Sequence, residues 1–286
     1  MSNQEARVWM ITGASSGFGQ AIAREVTSRG GSLVATARDP PALEALRSAA
    51  PGRVLALQLD VTKPKQVAAA VQEALARFGR IDVLVNNAGY GLLSGAEEAS
   101  EAELRALFEV NFFGLATVTR TVLPVMRRQR SGLIINISST AGVFGVGGAT
   151  YYSASKFAVE GFSECLAQEV ATFGIRTLIV EPGAYRTEFF GRSMARPAQP
   201  GADYPELSAM RAEVDRMDRA QFGDPQLAAK TIIDTARDAK LPRRLIIGPG
   251  AVERVRQALQ SRLDELAQSE ELADSMDGRP VDKARR

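Results

Sequence analysis

The sequence predicts an α/β fold, a doubly wound parallel sheet of about seven strands with helices on both faces. Three observations predict it. Short runs rich in Val, Ile and Leu alternate with longer amphipathic stretches, in the rhythm strand, helix, strand. The runs are apolar on both faces, as strands buried inside a parallel sheet are. A glycine cluster also stands at the first strand-to-helix junction, where the chain must turn tightly.

In chain order the strands read as Val8 to Thr12, Ser32 to Ala37, Val54 to Gln58, Val83 to Asn86, Gly132 to Ser138, Arg176 to Glu181 and Leu245 to Ile247. The stretches between them read as helices, with long ones near Glu101 to Gln129 and Tyr152 to Phe173. No linker is visible before Gly183 and no repeat of useful period occurs, so residues 1–273 are expected to form one domain. Near residues 250–272 a last helix sets Val252, Val255, Leu259, Leu263 and Leu266 on one side. Residues 274–286, polar and ending in Lys283-Ala-Arg-Arg286, read as a disordered tail.

Composition narrows the chemistry. The 286 residues carry 35 basic and 33 acidic side chains spread along the chain, a formal charge of +2, so no nucleic-acid partner is expected. Histidine is absent. That removes the Ser-His-Asp triad, His-ligated zinc and any imidazole shuttle, leaving Tyr, Lys, Asp, Glu or Cys for proton transfer, and no metal site is expected. The single cysteine, Cys165, lies between Phe162 and Leu166 and is expected to pack in the core. No apolar run approaches a membrane-spanning length, and a strand beginning near Arg7 leaves no room for a signal peptide. A cytoplasmic protein with no membrane partner is the expectation.

Two motifs carry chemistry. Tyr152-Ser-Ala-Ser-Lys156 puts a phenol and an ammonium four residues apart, on nearly one face of a helix. A cation held near the phenol would favour the phenolate and bring its pKa down from about 10. Tyr151, five residues from Lys156, projects about 140° away from it and is the weaker candidate. The second motif, Thr12-Gly-Ala-Ser-Ser-Gly-Phe-Gly19, spaces Gly13, Gly17 and Gly19 so that backbone amides can approach a pyrophosphate at a helix N-terminus.

Together with Asn86-Asn-Ala-Gly89, Asn111, Asn136-Ile-Ser-Ser139, and Pro182-Gly183 followed by Thr187, these motifs resemble the short-chain dehydrogenase/reductase family. The order and separations are the family's, closely over residues 7–190 and loosely to about 250. The resemblance implies a Rossmann-type fold and hydride transfer between a nicotinamide dinucleotide and a carbonyl or alcohol carbon. It implies a catalytic tetrad of Asn111, Ser139, Tyr152 and Lys156, with Ser139 holding the substrate oxygen and Tyr152 as acid and base. Ser138 would brace the turn. Lys156 would lower the Tyr152 pKa and bind ribose, and Asn111 would hold a water linking Lys156 to solvent. The implied cofactor contacts are Gly13, Ser15, Ser16, Gly17, Phe18 and Gly19 at the phosphates, with Val61, Asn87, Ala88 and Gly89 lining the cleft. Asp60 either meets the adenine or ends its strand. Pro182, Gly183 and Thr187 either contact the nicotinamide side or make a plain turn.

The end of the second strand bears on cofactor choice. Where an NAD enzyme of this kind usually places an acid the chain has Ala37, and Arg38 follows, suited to a 2′-phosphate with Thr36 assisting. NADP is therefore expected ahead of NAD, although Asp39 could pair with Arg38. Residues 185–222 correspond to the family's substrate lid. Its Phe189, Phe190, Met194, Tyr204, Met210 and Met217 would either line a pocket for a bulky hydrophobic ketone, aldehyde or alcohol, a small-molecule substrate, or simply pack the lid down. The C-terminal helix would cover a sheet edge and leave a homodimer through the two long helices. The alternative to an enzyme is a non-catalytic dinucleotide-binding redox sensor or scaffold, which the intact Tyr152 and Lys156 disfavour.

Overall fold

In the computed structural model, which describes residues 7–198, 203–216 and 220–275, the chain opens with β1 (Val8–Ile11), α1 (Gly17–Ser28) and β2 (Ser32–Ala37). It continues through α2 (Glu44–Ala49), β3 (Val54–Gln58), α3 (Pro64–Phe78), β4 (Val83–Asn86) and β5 (Gly91–Leu92). Then follow α4 (Glu101–Phe108), α5 (Leu115–Gln129), β6 (Gly132–Ile137), α6 (Thr150–Val170), β7 (Ile175–Pro182) and β8 (Met194–Ala195). The last elements are α7 (Pro205–Arg216), α8 (Pro225–Arg237), β9 (Arg244–Ile247) and α9 (Ala251–Ser275).

Seven strands form one parallel sheet in the order β3-β2-β1-β4-β6-β7-β9. This is the Rossmann-type architecture expected from the sequence. Alternation along each strand feeds two separate cores: Trp9 and Ile11 face α1 and α8, while Val8 and Met10 face α3, α5 and α6. Chain order reverses beside β1, because β2 and β3 lie on one side of it and β4 on the other. The carboxyl ends of β1 and β4 therefore border the crevice where sheets of this kind bind ligands.

The sequence-derived strands match to within a residue or two, and three features differ. The predicted helix over 101–129 is two helices joined by a π-helical turn, Glu109–Gly114, that contains Asn111. That segment is also long and apolar enough, by length and composition, to cross a membrane, contrary to the sequence reading. Its inner side, Leu107, Leu115, Val118, Val122 and Met126, is buried within this domain. Cys165 is exposed, not core. The inward stripe of α6 runs through Val159, Ser163, Leu166 and Val170, and Cys165 points about 100° away from Leu166. Among the described residues of α9 only Ala251 and Val255 are buried, whereas Leu263 and Leu266 are 57% and 65% exposed. Residues 274 and 275 still belong to α9, and the rest of the expected tail lies outside the described residues, as does Met217.

Candidate active site

The crevice at the carboxyl ends of β1 and β4 opens into a cavity of about 1030 Å³. Its floor is stitched together by Asn87, whose amide donates to the carbonyls of Thr12 (2.9 Å) and Gly13 (3.1 Å). The Thr12 hydroxyl in turn accepts from the Asn87 and Ala88 amides, both at 3.0 Å. Gly13 and Gly17 sit at φ +67° and +55°, where a side chain is strained. Gly19 does not line the cavity, but a Cβ there would collide with the Gly13 carbonyl and the Asn87 amide. The three glycines thus let the loop fold onto Asn87 and leave the start of α1 facing the cavity, where Ser16 makes no side-chain cap. A cradle of this shape fits a dinucleotide diphosphate.

Ser15, Ser16 and Phe18 line this end, with Asn87, Ala88 and Gly89 beside them. Arg38, Asp60 and Val61 line another part of the wall. Asp60 Oδ1 accepts from the Thr62 hydroxyl (2.7 Å) and amide (3.0 Å). Burial would raise its carboxyl, but those bonds, with Lys63 and Arg38 nearby, hold it below the usual range. Arg38 is exposed and, among the described residues, forms no ion pair with Asp39.

Ser139, Tyr152 and Lys156 meet at the deep end. The phenol, 8% exposed, is pushed up to about 12 by burial, with the Ser139 hydroxyl drawing it back by hydrogen bonding. Lys156 Nζ donates to the Ile137 carbonyl at 2.9 Å and stands 5.8 Å from the centre of the Tyr152 ring. Burial pushes this ammonium down to about 8, opposed by the charge of Glu160. The sequence leads one to expect that Lys156 lowers the Tyr152 pKa; here burial dominates the shift instead, and the cation lies over the ring and bonded to the Ile137 carbonyl. Such a tyrosine holds its proton at neutral pH and is suited to donate it.

Asn111 lies behind the wall, 1% exposed, and not in the cavity. Its amide clamps Tyr90, accepting from the Tyr90 N–H (3.0 Å) and donating to its carbonyl (2.9 Å), and it reaches the Ser155 hydroxyl at 3.1 Å. The π-helical turn aims it there, an irregularity frequent at functional sites. A Cβ on Gly89 would lie 3.1 Å from Asn111 Oδ1 and 3.7 Å from Lys156 Nζ, so both atoms border the space that the absent side chain leaves.

Pro182, Gly183 and Thr187 form the side next to α1, where a Cβ on Gly17 would touch Thr187 at 3.7 Å. The predicted lid closes the top through Phe189, Phe190, Met194 and Met210. Two features the sequence reading missed hold it there. Strand β8 pairs with β5. From α7, Arg211 makes a buried two-pronged bond to Glu98 at 2.7 and 2.9 Å, a geometry whose loss on truncation costs about 3–5 kcal/mol. Arg254 of α9 also lines the cavity and was likewise missed.

Comparison with known proteins agrees with this geometry. The short chain dehydrogenase family matches residues 7–197. A 3-ketodihydrosphingosine reductase of Bacteroides thetaiotaomicron is 37% identical over 86% of this chain and 89% of its own length. A short-chain dehydrogenase from Streptomyces avermitilis superposes with a TM-score of 0.89 at 43% identity, covering 95% of this chain and 99% of that one. A short-chain dehydrogenase/reductase from Burkholderia phymatum, solved in complex with NAD, gives 0.79 at 28% identity over 90% and 94%.

Proposed function

This chain belongs to the short-chain dehydrogenase family and is an oxidoreductase, and from that premise we propose an NADP(H)-preferring carbonyl reductase or alcohol dehydrogenase acting on hydrophobic substrates. The observation that carries the reading is the meeting of Tyr152, Ser139 and Lys156 in one cavity with the glycine cradle.

When bound, the dinucleotide supplies or accepts a hydride at its nicotinamide. Gly13, Ser15, Ser16, Gly17 and Phe18 would hold its phosphates, with Asn87 to Gly89 beneath and Pro182, Gly183 and Thr187 at the side. Ser139 donates to the substrate oxygen and fixes it beside Tyr152. Tyr152 then gives its proton to that oxygen in reduction and takes it back in oxidation. Lys156 would hold the ribose hydroxyls, and a proton taken up from solvent by way of Lys156 would restore the phenol. Asn111 fixes Tyr90 and Ser155 around Lys156, which is a positioning role.

Arg38 supports NADP, as an exposed cation on the cavity wall next to Ala37, which stands where an NAD enzyme of this kind usually places an acid. Phe189, Phe190, Met194 and Met210 support a hydrophobic substrate, and the relative named for a ketone on a sphingoid chain agrees. Phe113 and Phe157, 50% and 37% exposed beside the two long helices, support a homodimer there. The test is a screen of ketones, aldehydes and alcohols with NADPH and NADH, following absorbance of the reduced nicotinamide. Turnover of hydrophobic carbonyls with NADPH is expected, and cofactor binding with no turnover of any of them would favour a sensor.

A further inference from the structure

We propose that Arg254, carried on the first turn of α9, binds the diphosphate of the dinucleotide from the side opposite the glycine cradle. The inference rests on the dinucleotide reading above. Arg254 lines the same cavity as the cradle, and its Nη2 lies 3.3 Å from where a Cβ on Gly183 would stand. The chain runs from Gly183 to Thr187, which touches the Gly17 position at the start of α1. Gly17, Thr187, Gly183 and Arg254 therefore make one continuous wall.

Charge on that wall is one-sided. The first turn of α1 has no acidic residue, its N-cap makes no side-chain bond, and the loop from Gly13 to Gly19 contains no basic residue. Amides alone would face a diphosphate carrying two negative charges. The other cations of the cavity are engaged or distant. Lys156 is bonded to the Ile137 carbonyl, Arg192 is paired with Glu188, and Arg38 and Lys63 sit by Asp60. Arg254 has no ion-pair partner among the described residues, because the acid beside it, Glu253, is taken by Arg256. The missing side chain at Gly183 lets the guanidinium lie close against the turn that follows β7. A planar guanidinium with parallel N–H donors suits phosphate oxygens. The C-terminal helix thereby becomes part of the binding site, although it lies beyond the residues matched by the family.

The test measures dissociation constants of the full-length protein and Arg254→Ala for three probes: NADPH, ADP-ribose, which retains the diphosphate, and adenosine 2′-monophosphate, which lacks it. Loss of one exposed charge-assisted contact should weaken NADPH and ADP-ribose alike by about five- to tenfold, leaving the monophosphate within about twofold. Arg254→Lys should recover part of the loss, and the salt dependence of NADPH binding should flatten in Arg254→Ala. Unchanged ADP-ribose affinity in Arg254→Ala overturns the proposal, as does an effect confined to the KM of an anionic substrate. An equal loss for the monophosphate would overturn it too, by pointing to distortion of the whole cleft. If the unaltered protein binds neither NADPH nor ADP-ribose, the dinucleotide reading itself falls and this proposal with it.

Discussion

Asn87 ties the turn after β4 to the turn after β1, its side-chain amide donating to the carbonyl of Gly13 at 3.1 Å. The two loops that border the reversal in strand order are thereby locked as one surface. Gly19 is packed against both partners, so glycine spacing and sheet topology solve one problem together: they bring a bare helix start to the crevice. Chemistry at the deep end depends on that frame.

The proposed preference for NADP rests on Ala37 and Arg38. NADPH should exceed NADH in kcat/KM by at least about tenfold, equivalent to about 1.4 kcal/mol, and the advantage should shrink at high salt because Arg38 is exposed. In the paired variant Ala37→Asp with Arg38→Leu, an acceptor for the 2′-hydroxyl replaces the cation, and preference should swing to NADH. A preference that survives the exchange would place NADP selection elsewhere.

The two serines after β6 should separate cleanly. Both line the cavity, but the Ser139 hydroxyl bonds Tyr152 and accepts from the Ala141 amide at 3.1 Å, whereas the buried Ser138 hydroxyl lies beside Glu160 and Gly142. Ser139→Ala should lower kcat by about 10²-fold, the cost of one preorganised donor, with melting temperature little changed. Ser138→Ala should act mainly on stability. The reverse ranking in kcat would reassign the substrate-binding hydroxyl.

Behind Lys156, Glu181 is wholly buried and shares Arg244 with Glu160. Burial, then the Glu160 charge, pushes the Glu181 carboxyl up to about 7 from an ordinary 4.5, with Arg244 opposing. The folded chain keeps a proton that the unfolded chain releases, so this contribution to stability is complete below about pH 4.5 and is lost as pH rises through 7. Glu181→Gln should therefore gain on the unaltered protein by a few degrees in melting temperature between pH 5 and pH 8. Parallel melting curves across that range would show that Arg244 already compensates the charge.

Much of this was legible in the sequence, for physical reasons that also mark the limits. Strand runs such as Leu133 to Ile137 are apolar on both faces and short, and that pattern has few other solutions. The turn at Gly13 and the Tyr152 to Lys156 spacing are local, so the chain declares them. The π-helical turn at Asn111 leaves the apolar pattern of α4 and α5 almost undisturbed, and nothing local announces it. The fate of α9 depends on what its stripe meets. The same spacing of leucines that reads as a packed face is solvent-exposed beyond Val255. Arg254 and the Arg211–Glu98 bond arise from pairings more than 70 residues apart, and single-chain periodicity carries no trace of them. The direction of the Tyr152 shift needed the depth of its burial and the Lys156 bond to Ile137, neither of which spacing supplies.

The central claim is that the Tyr152 phenol delivers the proton. Tyr152→Phe removes one oxygen from a buried ring that packs 5.4 Å from Phe189, so fold and cleft should persist. Single-turnover reduction of a ketone with bound NADPH should slow by about 10²–10⁴-fold while the NADPH dissociation constant stays within about twofold. A variant that turns over at near the normal rate with NADPH bound would contradict the assignment and leave Tyr152 a packing residue.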